Sequence, residues 1–358
     1  MQTKLSRQGL TALVTALLLG ACGQQASQDT PLSAQGGNGK PATGQTTAAA
    51  RVFLPNPVQS TGNQGLVDDK DSASAVPASA YYNVTLSELD GSGYLSGKWA
   101  KVINETGTPV YGTGPFSFTR DQDGFEQVMA YFWVTETQKY LQSLGFGTEL
   151  RPVNMQQQLI KVSQYGIDNS YMWDKHNWLR LGKGGVDDAE DGEVIVHEYG
   201  HAVHAAQVPG FGSSLQAGAI GEAFGDYLAM TVGYAISTAN GAPTQAPLGC
   251  IMDWDAVSYT STEPHCLRRI DTDRHYPEDL RGQVHADGMI WSRALWDIWN
   301  ALGARTADRI VINAQFGFAP DTSFVAAAEQ TVRTARAMYD EQTAATVKKA
   351  FVDRGILQ

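Results

Sequence analysis

Three cysteines in 358 residues cannot knit a disulfide scaffold. Basic blocks are missing as well. Against 37 Asp+Glu stand 26 scattered Lys+Arg, a net charge of −11, which excludes the electrostatic footprint of a nucleic-acid binder. No internal repeat is visible, and no apolar run beyond residue 22 is long enough to span a bilayer. What the chain does have is bulk. It is 42% hydrophobic, with 14 Tyr, 12 Phe and 8 Trp, enough for a large core and about two domains of ~150 residues.

The N-terminus reads as an export signal over residues 1–21: Lys4 and Arg7 precede an apolar run, residues 10–19, that is too short to cross a membrane. Its end, Leu19-Gly20-Ala21-Cys22, resembles the lipobox of bacterial lipoproteins. That resemblance implies a lipid on Cys22 and an exported protein anchored in the bacterial cell envelope, at the outer membrane or cell surface, with later release left open. Gly23 stands where Asp would signal retention at the inner membrane. The plainer alternative is an ordinary cleaved signal in which Cys22 is incidental. Residues 22–50 hold Gln, Ser, Thr, Gly and Ala with almost no large apolar side chain, so a flexible tether is expected there.

Between residues 51 and 121 the pattern favours strands, at Tyr81 to Leu86 and in the alternation of Phe116 to Thr119. Asp123 to Leu144 reads as a helix with Phe125, Val128 and Phe132 on one face and Gly145 after it. Beyond about residue 188 helical signals dominate. Trp291, Leu295, Ile298 and Leu302 recur at helical steps before Gly303, and Asp321 and Asp340 are expected to start two further helices. The expected class is α+β, with a β-rich lobe at residues 51–204 and a helical lobe at residues 205–358.

The sharpest motif is His197-Glu198-Tyr199-Gly200-His201. On a helix the two histidines lie one turn apart on the same face, so both imidazoles can reach one Zn²⁺. Glu198 beside them can take a proton from an attacking water without being a ligand. Glu222, 21 residues on in a second helical stretch, makes a third ligand and leaves the fourth position open, which is the catalytic arrangement. Asp226 lies one turn beyond, placed to receive the free ring N–H of a ligand histidine. The alternative for Glu222 and Asp226 alone is a solvated helix face. His285, in Gly282 to Gly288 just before the Trp291 helix, is a candidate donor to a developing oxyanion, or part of a capping loop with Asp287 as cap. The acids at 187, 188, 190, 191 and 193 suit the N-terminus of the following helix, or a metal role.

These three elements in this order resemble the thermolysin-type and fungalysin-type zinc metallopeptidases that use a Glu third ligand. Asn169-Ser170-Tyr171 is similar to that family's cleft-lining strand. The resemblance spans residues 51–358 and implies a two-lobed fold with zinc in the cleft. It also implies His197, His201 and Glu222 as ligands, one Zn²⁺ per chain, and Glu198 as general base and then acid. Asp226 is implied behind the ligands, His285 on the transition state, and Asn169 on the substrate backbone. The family's calcium-site acids are not recognisable after Glu222, so calcium is not carried over. Its substrate-binding Arg is one of Arg268, Arg269 and Arg274, and either Asp279 or Asp287 would orient His285. Only residues 22–50 stand where the family carries a large propeptide, a departure that puts self-inhibition by such a segment in doubt.

With Cys22 assigned to lipid, Cys250 and Cys266 remain as an even pair in an exported protein, and a disulfide is expected between them. The function expected is a zinc endopeptidase acting on polypeptides of the envelope or outside the cell, as a monomer. The competing readings are an aminopeptidase of the same clan, for which no acidic amine-capturing motif is seen, and a non-catalytic surface-binding lipoprotein. Loss of Glu198 or a ligand would mark the last case, and all are present.

Overall fold

The computed structural model describes residues 43–104, 107–163 and 167–358. The signal segment and Cys22 lie outside the described residues. Residues 41–358 form one compact unit.

The first strand, β1 (Ala48–Val52), buries Ala48, Ala50 and Val52 on one side in the period-2 alternation of a half-buried strand. Here the expected tether, residues 22–50, is corrected at its C-terminal end. Already at Thr43 the backbone N–H donates to Gly91 O at 2.7 Å, and residues 48–50 are strand. Alanine is small, but inward alanines still pack once the backbone is paired. A short helix, α1 (Pro57–Thr61), follows, and β2 (Tyr82–Leu86) then pairs antiparallel with β1. The expected strand at Phe116 to Thr119 reduces to a single bridge between Phe116 and Ala50. The Arg51 guanidinium takes the carbonyls of Ser117 and Phe118 that a ladder would have used.

Next come β3 (Ala100–Val102) and the helix α2 (Gly124–Ser143), close to the bounds read from the pattern. Phe125, Val128 and Met129 are fully buried, and so are Tyr131 and Trp133, because strands cover one side of α2 and helices the other. With β4 (Gln158–Lys161), β5 (Tyr171–Trp173) and β6 (Trp178–Arg180), β3 forms a sheet of order β3-β4-β6-β5. It is parallel except for β5, which runs antiparallel on the edge and packs on the next helix.

That helix is α3 (Gly192–Gln207), which carries the HEYGH motif, and α4 (Leu215–Ala239) packs along it. A two-strand ribbon, β7 (Cys250–Ile251) and β8 (Arg268–Arg269), precedes α5 (Val284–Leu302). The chain ends in α6 (Ala304–Gln315), α7 (Phe324–Met338) and α8 (Glu341–Asp353). Asp340 caps α8 as expected, but α7 is capped by Ser323, whose hydroxyl accepts from Ala326 N–H. The result is an α+β molecule with all of its described strands but the β7–β8 ribbon before or at its midpoint and a mainly helical C-terminal half. No helix among the described residues is long and apolar enough to cross a membrane.

Candidate metal centre and its surroundings

Two helices meet at glycine to build the site. Gly200 of α3 faces Gly225 of α4, where a Cβ on Gly200 would stand 3.1 Å from the Gly225 Cα. A Cβ on Gly225 would stand 2.6 Å from His197 Nδ1, so the histidine ring occupies the room a side chain would need. The caps that start these helices are ordinary ones. Asp191 accepts from Glu193 N–H, and Ser214 accepts from Ala217 N–H.

Across this contact His197, His201 and Glu222 converge. His197 Nε2 and His201 Nε2 are 3.2 Å apart, and Glu222 reaches them at 3.4 and 3.7 Å. Tetrahedral coordination with bonds of about 2.0–2.1 Å separates ligand atoms by about 3.3 Å, so the spacing suits zinc. Glu222 Oε2 is buried and faces two imidazole nitrogens, His197 Nε2 at 3.4 Å and His285 Nε2 at 3.1 Å. The centre is open on one side. The His197 side chain is 5% exposed, whereas those of His201 and His285 are 24% and 44% exposed.

The support for His197 is a carboxylate held by an arginine. His197 Nδ1 lies 2.9 Å from Asp226 Oδ1, and Arg268 forks onto Asp226 with Nη2 at 2.6 Å and Nε at 2.7 Å. Because the carboxylate accepts, His197 donates through Nδ1 and keeps its Nε2 lone pair for a metal. Burial would raise the Asp226 pKa, but Arg268 outweighs it and holds the carboxyl at about 2. Of the three arginines open in the sequence, the fold therefore brings Arg268 to the centre, while Arg269 pairs with Asp271.

Glu198 is 7% exposed, and its Oε2 has no partner. Burial pushes its pKa up to about 7, with the Glu222 charge adding to the rise. His285 sits in the first turn of α5, not before it, with Nε2 3.1 Å from Glu222 Oε2. Neither Asp279 nor Asp287 orients it. Asp279 accepts from His275 N–H, and Asp287 accepts from the N–H groups of Arg281 and Gly282. The residue against His285 Nδ1 is Gln283, at 2.7 Å, which is also the α5 cap. Asn169 is exposed in the segment entering β5 and makes no hydrogen bond or ion pair with the three converging residues.

Three further acidic groups among the described residues have carboxylate oxygens close enough to hold an ion: Asp71/Asp187/Glu190, Asp168/Asp188/Asp255 and Asp191/Glu193/Asp253. The first is balanced by Arg120 on Glu190 and Lys183 on Asp187. Of the five acids at the start of α3, only Asp191 acts as its cap. The fold carries Asp253 and Asp255, from beyond Glu222, back against this run, a meeting that sequence spacing does not reveal. Cys250 and Cys266 are joined in a disulfide, as expected from their pairing.

Residues 210–356 match the family described as thermolysin metallopeptidase, alpha-helical domain. No curated protein matches the chain in sequence. Among solved structures, the precursor of protealysin, a metalloproteinase from Serratia proteamaculans, superposes with a TM-score of 0.57 at 19% identity. The match covers 72% of this chain and 87% of that one. Residues 210–356 are thus similar to the helical domain of the thermolysin metallopeptidases, and the chain resembles a thermolysin-like metalloproteinase in fold.

Proposed function

We propose that this chain is a zinc-dependent endopeptidase whose metal ligands are His197, His201 and Glu222. The observation that carries the reading is the set of 3.2–3.7 Å separations among the two histidine Nε2 atoms and the Glu222 carboxylate oxygens, with a buried, partly unpartnered Glu198 beside them. Zinc bound there would supply Lewis-acid polarisation of a peptide carbonyl and lower the pKa of water.

The chain's own groups do the rest. Glu198 takes the proton of the attacking water, and a pKa near 7 suits both this step and the return of the proton to the leaving amine. His285 donates from Nε2 to the carbonyl oxygen as negative charge gathers on it. Asp226 and Arg268 act through His197, fixing its ring and tautomer. Asn169 lies two residues before the edge strand β5, alongside which an extended peptide could run and add to the sheet.

Casein and an N-terminally blocked peptide serve as test substrates for the purified protein. Internal cleavage of both is expected, abolished by a zinc chelator and restored by added Zn²⁺. Cleavage that needs a free amino terminus would make it an aminopeptidase, and no cleavage of either substrate would favour a binding protein.

A further inference from the structure

We propose that the metal centre pairs one braced histidine with one unbraced one, that Gly221 leaves His201 unbraced, and that bound metal exchanges by release of His201. The inference rests on the ligand set proposed above and concerns how firmly each ligand is held.

The two rings differ in what stands behind them. His197 Nδ1 donates to Asp226 Oδ1 at 2.9 Å, and Arg268 fixes that carboxylate through nitrogens at 2.6 and 2.7 Å. His201 turns Nε2 toward His197 Nε2 at 3.2 Å and toward Glu222 Oε1 at 3.7 Å. Its Nδ1 must therefore carry the proton when Nε2 binds a metal. Among the described residues no side chain or carbonyl accepts from that nitrogen. The His201 side chain is 24% exposed against 5% for His197, so water is left as the acceptor.

The helix opposite explains the difference. α4 supplies Asp226 to His197, but the α4 residue that comes nearest to His201 Nδ1 is Gly221. A Cβ on Gly221 would stand 4.0 Å from His201 Nδ1 and 3.8 and 3.9 Å from two ring carbons of Phe211. These are ordinary van der Waals separations. Crowding does not require glycine here, unlike Gly225, where a Cβ would meet His197 Nδ1 at 2.6 Å. Phe211 offers no polar atom in place of the missing side chain, and its ring stacks on His204 with centroids 3.6 Å apart.

A partner behind a ligand histidine fixes the ring and strengthens metal binding, typically by about 10–100-fold. To let go, His197 must break its bond to an aspartate that is itself held by an arginine. His201 needs only to turn about its side-chain bonds and give up a water.

NMR of the zinc-loaded protein with nitrogen-labelled histidine reads the bracing directly. The Nδ1 proton of His197 should persist against exchange with water, and that of His201 should be lost to exchange. In parallel, a chelating dye follows zinc release from the unaltered chain, Gly221→Ser and Gly221→Ala. Serine adds an oxygen that can accept from Nδ1 and should slow release about tenfold. Alanine fills the same space without an acceptor and should leave the rate near that of the unaltered chain. A persistent His201 Nδ1 proton would overturn the proposal, and so would equal release rates from the serine and alanine variants. The NMR measurement uses the unaltered chain, so it decides the matter even if a variant misfolds. Metal analysis comes first: a chain that takes up no zinc defeats the ligand set itself, whereas a zinc-loaded chain with a protected His201 proton defeats only the bracing.

Discussion

His285 is held from behind by an amide. Gln283 Oε1 accepts from Ala286 N–H at 2.6 Å as the cap of α5, which fixes which way the amide points. Its Nε2 must then face His285 Nδ1 and donate to it, so the ring carries its own proton on Nε2. That is the tautomer able to donate to a carbonyl oxygen. His285→Ala should lower kcat by about 10²-fold or more with little change in KM, as for loss of an oxyanion donor. Gln283→Ser keeps a capping oxygen but removes the amide donor, and should lower kcat by about tenfold, again without raising KM. Steady-state kinetics on a blocked peptide check both, and a Gln283→Ser enzyme with unchanged kcat would show that the amide does not position the ring. The histidine pair was legible because helical spacing stacks residues four apart, and Glu222 because its segment resembles the third-ligand helix of the zinc metallopeptidases. Gln283 and Arg268 were not, because their roles depend on where loops return, and three arginines and two aspartates looked equivalent in sequence.

Element by element, the contact between α3 and α4 explains why the two motif helices carry Gly200 and Gly225: bulk at either point would part the helices or displace His197. The β7–β8 ribbon explains Arg268. Its strands pair Cys250 with Arg269 and Ile251 with Arg268, and the disulfide closes the loop two residues before Arg268. In the chain-entropy model such a closure is worth about 3 kcal/mol. Reduction should therefore lower Tm, while the ribbon's backbone pairing keeps Arg268 on Asp226 and zinc content nearly unchanged. Calorimetry with metal analysis, with and without reductant, checks this, and zinc loss without a fall in Tm would contradict it. The long helices were legible from apolar periodicity. Helix α6 was missed, although Ala307, Ile310, Val311 and Ala314 repeat helically, because Gly303 ends α5 and also starts α6, leaving no loop to announce it.

At the scale of the molecule, the excess of acid is not all surface. Asp188, Glu190, Asp191, Glu193, Asp253 and Asp255 are buried around the base of α3, where the sequence shows only that the acids from 187 to 193 suit a helix start or a metal role. The division into a strand-bearing half and a helical half was visible in composition. That the two halves bring β5, α3, α4 and α5 to one centre was not, since it rests on packing between distant segments. One separation of roles is central to the proposed function: metal ligation by His197, His201 and Glu222, and proton transfer by Glu198. Zinc per chain and casein hydrolysis, measured together on the unaltered protein, Glu198→Gln and His197→Ala, test it most directly. The account predicts about one zinc with full activity, about one zinc with no activity, and neither zinc nor activity, respectively. A Glu198→Gln protein that is zinc-free, or that hydrolyses casein at the unaltered rate, would contradict it.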